Sequence, residues 1–223
     1  MSTAIFTRSD HDIQTDVQDE LVWTPDVDAA GIGVAVDDST VTLSGEVDDY
    51  AERTAAKRAA LRVRGVSTVV DALTVHPTAT TTVTETDIAK EVERALRWAT
   101  NVPDSVKAEL IGHNVILTGE VQWDFQRQAA KAAVRYLRGV YTVNNMIMLR
   151  ARPSATDAVE RIKNALVRNA QLDASHIAVT VAGNSATLTG NVRSWAEKKQ
   201  AGAAAWASPH VTDVDNRLVV QTY

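Results

Sequence analysis

Residues 115–149 read VILTGEVQWDFQRQAAKAAVRYLRGVYTVNNMIML, and this stretch decides the fold. A strand runs into a glycine, a long alanine-rich helix follows, and Gly139-Val140 leads into a further strand. The arrangement recurs at 41–75 (VTLSGEVDDYAERTAAKRAALRVRGVSTVVDALTV) and at 186–220 (ATLTGNVRSWAEKKQAGAAAWASPHVTDVDNRLVV). The marker glycines Gly45, Gly119 and Gly190 stand 74 and 71 residues apart. Repetition at a near-constant period outranks any single motif in reading a fold. Three units follow, at 9–75, 84–149 and 154–220, with linkers at 76–83 and 150–153.

Upstream of each quoted stretch stands a helix signal. Ser9-x-x-Asp12, Thr84-x-x-Asp87 and Ser154-x-x-Asp157 resemble capping boxes, with a hydroxyl to accept a backbone N–H and an acid at the positive helix end. Behind them apolar residues recur every fourth position, the buried stripe of an amphipathic helix: Ile13, Val17, Leu21; Ile88, Val92, Leu96; Ala158, Ile162, Leu166. Strict alternation then predicts a strand with one buried face: Ile32, Val34, Val36; Val106, Ala108, Leu110; Ile177, Val179, Val181. The short connectors Asp37-Asp38-Ser39, Gly112-His113-Asn114 and Gly183-Asn184-Ser185 make strands one and two a hairpin.

The marker glycines predict a bulge or a close backbone approach by a neighbouring helix. Asp49-x-x-Glu52 and Ser194-x-x-Glu197 cap the second helix, whose small positions Ala55, Ala59, Ala129, Ala133, Ala201 and Ala204 let it lie close on the sheet. Gly65 and Gly139 stand where a left-handed C-cap belongs, and His210 takes that place in the third unit. Strand three closes each unit, at 69–75, 143–149 and 214–220. The pattern leaves open which strand it pairs with. The expected class is α/β: three tandem α-β-β-α-β units, each a small three-stranded mixed sheet packed by two helices.

Composition narrows function by exclusion. Without cysteine there is no disulfide, thiolate nucleophile or cysteine metal site. The opening MSTAIFTRSDHDIQTD has no apolar core of a signal peptide, and no run approaches 18 apolar residues, so a cytoplasmic location is expected. Net charge is −5, spread unevenly: 14 acids against 5 bases in residues 10–75, 8 against 8 in 84–149, and 6 against 7 in 154–220. Nucleic acid is therefore an unlikely partner. The five histidines (His11, His76, His113, His176, His210) fall at unrelated repeat positions, and Gly31-Ile-Gly33 lacks the third glycine of a dinucleotide fingerprint. No enzyme is expected.

The strand motif Val41-Thr-Leu43-Ser-Gly45-Glu-Val47, with Val115-Ile-Leu117-Thr-Gly119-Glu-Val121 and Ala186-Thr-Leu188-Thr-Gly190-Asn-Val192, resembles the BON family (bacterial OsmY and nodulation domain). So do the closing pieces Gly65-Val66 with Val69-Val70-Asp71, Gly139-Val140 with Val143-Asn144-Asn145, and Val211 with Val214-Asp215-Asn216. The resemblance implies a non-catalytic binding or scaffold protein of osmotic or envelope stress. It implies anionic phospholipid as partner, at the inner face of the membrane for a cytoplasmic chain. Two alternatives come with it: potassium binding in one cytoplasmic branch, and self-assembling or chaperone-like work. Most members are exported, and the potassium-binding branch carries a LysM domain; neither trait is visible here.

Against that expectation, Arg127, Lys131, Arg135 and Arg138 recur at i, i+4, i+8 and i+11 and should share a helix face. Facing an anionic leaflet, each would gain about 1 kcal/mol; the plainer reading is a solvated face. The first unit's Arg53, Lys57, Arg58, Arg62 and Arg64 are blunted by acids. Aromatic residues follow strand two (Tyr50, Trp123, Phe125, Trp195) and could anchor in headgroups or staple the helix entry. Trp23, Trp98 and Trp206 are expected in the core or between repeats. Potassium would take oxygen ligands, with Asp26, Asp28, Asp37, Asp38, Asp48 and Asp49 on offer; no metal ligand is assigned. Near-identical units also invite a homo-oligomer.

Overall fold

The computed structural model describes residues 8–76, 83–150, 157–169 and 172–221. The first repeat holds α1 (Asp10–Trp23), β1 (Ile32–Asp37), β2 (Thr40–Val47), α2 (Tyr50–Arg62) and β3 (Thr68–Val75). The second holds α3 (Glu85–Trp98), β4 (Lys107–Ile111), β5 (Asn114–Thr118), β6 (Glu120–Val121), α4 (Asp124–Val134), β7 (Thr142–Asn145) and β8 (Met148–Leu149). The third holds α5 (Ala158–Arg168), β9 (Ile177–Ala182), β10 (Ser185–Val192), α6 (Trp195–Trp206), β11 (Asp213–Asn216) and β12 (Val219–Val220). By backbone contacts the chain divides into two compact units: Met1–Thr78 with Gly190–Lys199 and Leu218–Tyr223, and Ala79–Thr189 with Gln200–Arg217.

Local chemistry starts each helix. Ser9 Oγ accepts the Asp12 N–H at 3.1 Å, and the Asp12 carboxylate accepts the Ser9 hydroxyl (2.7 Å) and N–H (3.3 Å). Thr84 and Asp87 repeat the hydroxyl-based half of this box. The Ser154 cap lies outside the described residues, as do most of both linkers; α5 begins after Asp157. The hydrogen bonds from the Ser9 hydroxyl and then its N–H hold the Asp12 carboxyl below its usual value. A pKa lowered by folding stabilises above the unfolded value, near pH 4, and that contribution is lost as pH falls through the folded value. Asp12→Asn should therefore flatten part of the acid limb of the first repeat's melting profile. An unchanged limb in circular dichroism melts between pH 2 and 6 would refute this.

At the second helix the three repeats share one device. Glu52 accepts the N–H groups of Asp28 (2.7 Å) and Asp48 (2.8 Å). Gln126 accepts those of Gln122 (3.0 Å) and Trp123 (3.1 Å), and Glu197 that of Arg193 (2.7 Å). Asp49 and Ser194 accept the N–H three residues on, as expected of caps. These bonds satisfy donors that the helix ladder cannot reach.

The sheet order settles where strand three goes. It pairs parallel with strand two, which is central: β1-β2-β3 and β4-β5-β7, with β10 between β9 and the β11/β12 strand. Each partner lies 28 residues further along: Val41↔Val69, Val115↔Val143, Ala186↔Val214. In the second and third repeats strand three is interrupted, contrary to the continuous strand expected, but resumes with the same offset (Val121↔Leu149, Val192↔Val220). At the break Asn145 Oδ1 accepts the Ile147 N–H at 3.3 Å, and Ile147 turns into the core.

Hairpin turns tie back to the end of the second helix by one backbone bond, identical in each repeat. The N–H groups of Ser67, Tyr141 and Thr212 donate to Ser39, His113 and Asn184, each at 2.9 Å. Asp38 and Ser39 both take positive φ (45° and 61°), the mirror-image turn that suits strand twist.

The marker glycines all sit at positive φ, 118° to 124°. What approaches Gly45 and Gly119 is the carbonyl before strand one rather than a helix. A Cβ on Gly45 would stand 2.1 Å from Gly31 O, and one on Gly119 2.3 Å from Ser105 O. Gly65 and Gly139 also have positive φ, but they are not C-caps. The residue that caps α2 is Val63, in extended backbone, and the one that caps α4 is Arg135. Their Cβ positions are taken by the side chains of Ile13 (3.0 Å) and Ile88 (2.7 Å) from the first helices.

Burial follows the helix stripes: all nine predicted positions are buried. In the first repeat they meet Val34, Val41, Leu43, Val47 and Leu73 of the sheet and Ala56, Ala59 and Ala60 of α2. In α4 the buried row is one residue later than expected, at Ala130 and Val134; in α6 Ala201 is buried as expected, but Ala205 rather than Ala204 follows it. Ala108, expected on the buried face of β4, is exposed.

Candidate functional site

The basic face of α4 breaks up. The helix ends at Val134, where the Arg135 N–H closes on Lys131 O and the Leu137 N–H on Val134 O. Arg138 therefore leaves the helical row that its spacing predicted, whereas Arg135 stands at the end of that row in helical backbone. Arg127 is engaged: its Nε donates to Asp124 at 2.9 Å, and its guanidinium lies 4.5 Å from the Trp206 ring centre. Arg135 lies over the Tyr136 ring at 4.4 Å, and its buried Nε meets no acceptor among the described residues. Lys131 is half-buried and Arg138 exposed.

The aromatic group also divides. Trp123 is half-buried at the start of α4, where its N–H bonds Gln126. Trp195 is half-buried; its indole N–H donates to Val66 O at 3.1 Å, and Lys198 Nζ lies 4.9 Å from its ring centre. Tyr50 is half-buried, whereas Phe125 is 55% exposed. Three of the four are thus half-buried, and Trp195 is tied to a carbonyl of the first repeat.

Trp23 and Trp98 overturn the core assignment. They close α1 and α3 at equivalent positions and are 82% and 80% exposed. The reason is angular: the buried stripe ends at Leu21 and Leu96, and two residues on a helix turn about 200° away from it. Val22, beside Trp23, is 75% exposed. Burial tendency by residue type pointed inward; the phase of the stripe, legible in the sequence, pointed outward. Trp206, also expected in the core, is half-buried.

Among the described residues no group of three His, Asp or Glu side chains could hold a metal ion. Asp28 and Asp49 cap backbone N–H groups. His113 bonds Gly139 O through Nδ1 at 2.8 Å and stacks on Tyr141. Among the described residues no helix is long and apolar enough to cross a membrane.

Among solved structures the chain is similar to the C-terminal domain of CdsD, the structural protein of the type III secretion system of Chlamydia trachomatis. Identity is 11% over 96% of this chain and 100% of that one, with a TM-score of 0.27. A second CdsD structure gives 12% identity, 94% and 92% coverage, and a TM-score of 0.26. At such scores the likeness carries no argument about this chain. No curated protein matches it. The BON domain matches residues 9–77, 84–151 and 154–222. Those three stretches take in nearly all of the sequence and hold each recurrence of helix, hairpin, positive-φ glycine and parallel strand: the chain belongs to the BON domain family.

Proposed function

We propose that this triple BON protein is a non-catalytic binding module that attaches peripherally to anionic phospholipid at the cytoplasmic face of a membrane, in osmotic or envelope stress. The observation that carries the reading is the pair of exposed indoles, Trp23 and Trp98, at one repeat position. An indole left in water at a helix end suits the membrane–water interface, where its apolar body inserts and its N–H stays wet. The contact residues on this reading are Trp98, Phe125, Lys131 and Arg138 rather than the row from Arg127 to Arg138.

Charge ranks the two indoles. Residues 10–75 carry 14 acids against 5 bases, whereas 84–149 are balanced, so an anionic leaflet repels the surroundings of Trp23 and tolerates those of Trp98. Flotation with anionic and neutral vesicles at low and physiological salt tests this. The chain should float with anionic vesicles, less so in salt. Trp98→Ala should weaken partitioning by roughly tenfold, the loss of one buried apolar side chain, and Trp23→Ala by less. No flotation, or equal flotation of both variants and the parent, would sink the reading.

A further inference from the structure

The free edge of the second sheet differs from that of the first. β4 and β1 are both edge strands. In β4 the two-residue turn makes Ile111 and Asn114 the hydrogen-bonded pair that closes the hairpin. Along β4 the N–H and C=O of Ala108 and Leu110 therefore point away from β5. In β1 the equivalent carbonyl is occupied: Val34 O accepts Gln14 Nε2 at 2.8 Å. In the second repeat the counterparts of Gln14 and Val34 are Ala89 and Ala108. Alanine at both places leaves the edge uncovered among the described residues, beside a groove of about 340 Å³ with Val92, Leu96, Val106 and Leu110 in its lining.

We propose that two copies of the chain join through this edge, β4 against β4, antiparallel about a twofold axis. Charge selects both the occupant and the register. With Ala108 opposite Ala108 of the copy, Lys107 faces Glu109 of the copy and Glu109 faces its Lys107. Both pairs sit at the close-approach positions between hydrogen-bonded pairs. Sliding the copy two residues one way sets Glu109 against Glu109, and the other way Lys107 against Lys107. Like charges directly opposite destabilise a ladder, so of these three registers only the first avoids repulsion. It also brings Leu110 of each copy to Val106 of the other, at the apolar lining of the groove. Lys107 and Glu109 are exposed, as the pairing needs. β9 (Ile177–Ala182) carries no charged residue, so nothing comparable fixes a register there.

Sedimentation equilibrium of the full chain over a micromolar concentration series tests the proposal. The expected mass rises from 24.1 kDa toward twice that value. Glu109→Lys and Lys107→Glu each turn both cross-strand pairs into like-charge pairs, and each should weaken association by at least roughly tenfold. The double variant K107E/E109K restores opposite charges in the same register and should recover the dimer. Both positions are exposed, so melting curves taken at concentrations where the parent is monomeric should stay unchanged. Three outcomes would overturn the proposal: a monomer at every concentration, a dimer indifferent to both single variants, or a double variant no tighter than the singles. A monomer that instead captures a strand of another protein counts against it as well.

Discussion

Gly45→Ala is expected to unfold the first repeat at ordinary temperature. The added Cβ would stand 2.1 Å from Gly31 O, and the residue would have to hold φ at 118°. Neither burden can be shed locally. The clashing atom is backbone, so no rotamer change moves it, and it belongs to the residue that leads into β1. Backbone strain of this kind costs about 1–3 kcal/mol by itself, and parting two strands adds to it. A unit of this size has only about 3–10 kcal/mol in all. Gly112→Ala is the control: it also sits at positive φ, but a Cβ there meets nothing within 4 Å. Its cost should be about 1–2 kcal/mol, the left-handed penalty alone. Urea unfolding followed by circular dichroism decides; equal losses at the two positions would show that the Gly31 carbonyl does not matter.

Leu117→Ala should cost about 2–5 kcal/mol, the loss of a fully buried leucine together with the cavity it leaves. Leu117 lies at 0% exposure on β5, the central strand, opposite Ala108 on one side and Asn145 on the other. No neighbouring strand offers a large side chain at that level to collapse into the space. The second repeat should then melt in its own low-temperature transition, ahead of the rest, because repeats in tandem need not unfold as one. A single shifted transition of full amplitude would mean that the repeats unfold together. A loss below 1 kcal/mol would mean that Leu117 is not a core residue.

Much of this fold is legible in the sequence because three copies vote on each position. The helix stripes, the hairpins and the special status of Gly45, Gly119 and Gly190 recur in register, so accidental residues cancel. What recurrence cannot supply is the partner of each feature. A glycine at positive φ reads alike whether a helix or a carbonyl approaches it, and here it is Gly31 O or Ser105 O. Strand order is silent too, since strand two buries Val41, Leu43 and Val47 whichever strand flanks it. The interaction residues were legible only in part. Spacing placed Arg127 to Arg138 on one helix face, but the helix stops at Val134 and Asp124 claims Arg127. Trp23 and Trp98 were readable as exposed from helix phase alone. Ala89 and Ala108 look unremarked as alanines, and they gain meaning only beside Gln14 and Val34.

The constant offset of 28 residues between strands two and three also has a kinetic meaning. The hairpin of each repeat closes across two residues, whereas the parallel partner must wait for an intervening helix and the closure of a 28-residue loop. Loop-closure entropy grows only slowly with length, and among the described residues no strand pair reaches beyond its own repeat. Strand pairing therefore stays local in a chain of 223 residues, which favours fast formation of each sheet, while the bond from Trp195 back to Val66 has to close across 129 residues. On the ribosome, the strand that completes one sheet emerges before the helix that begins the next repeat, so the interval in which an unpaired central strand is exposed lasts for one repeat at a time.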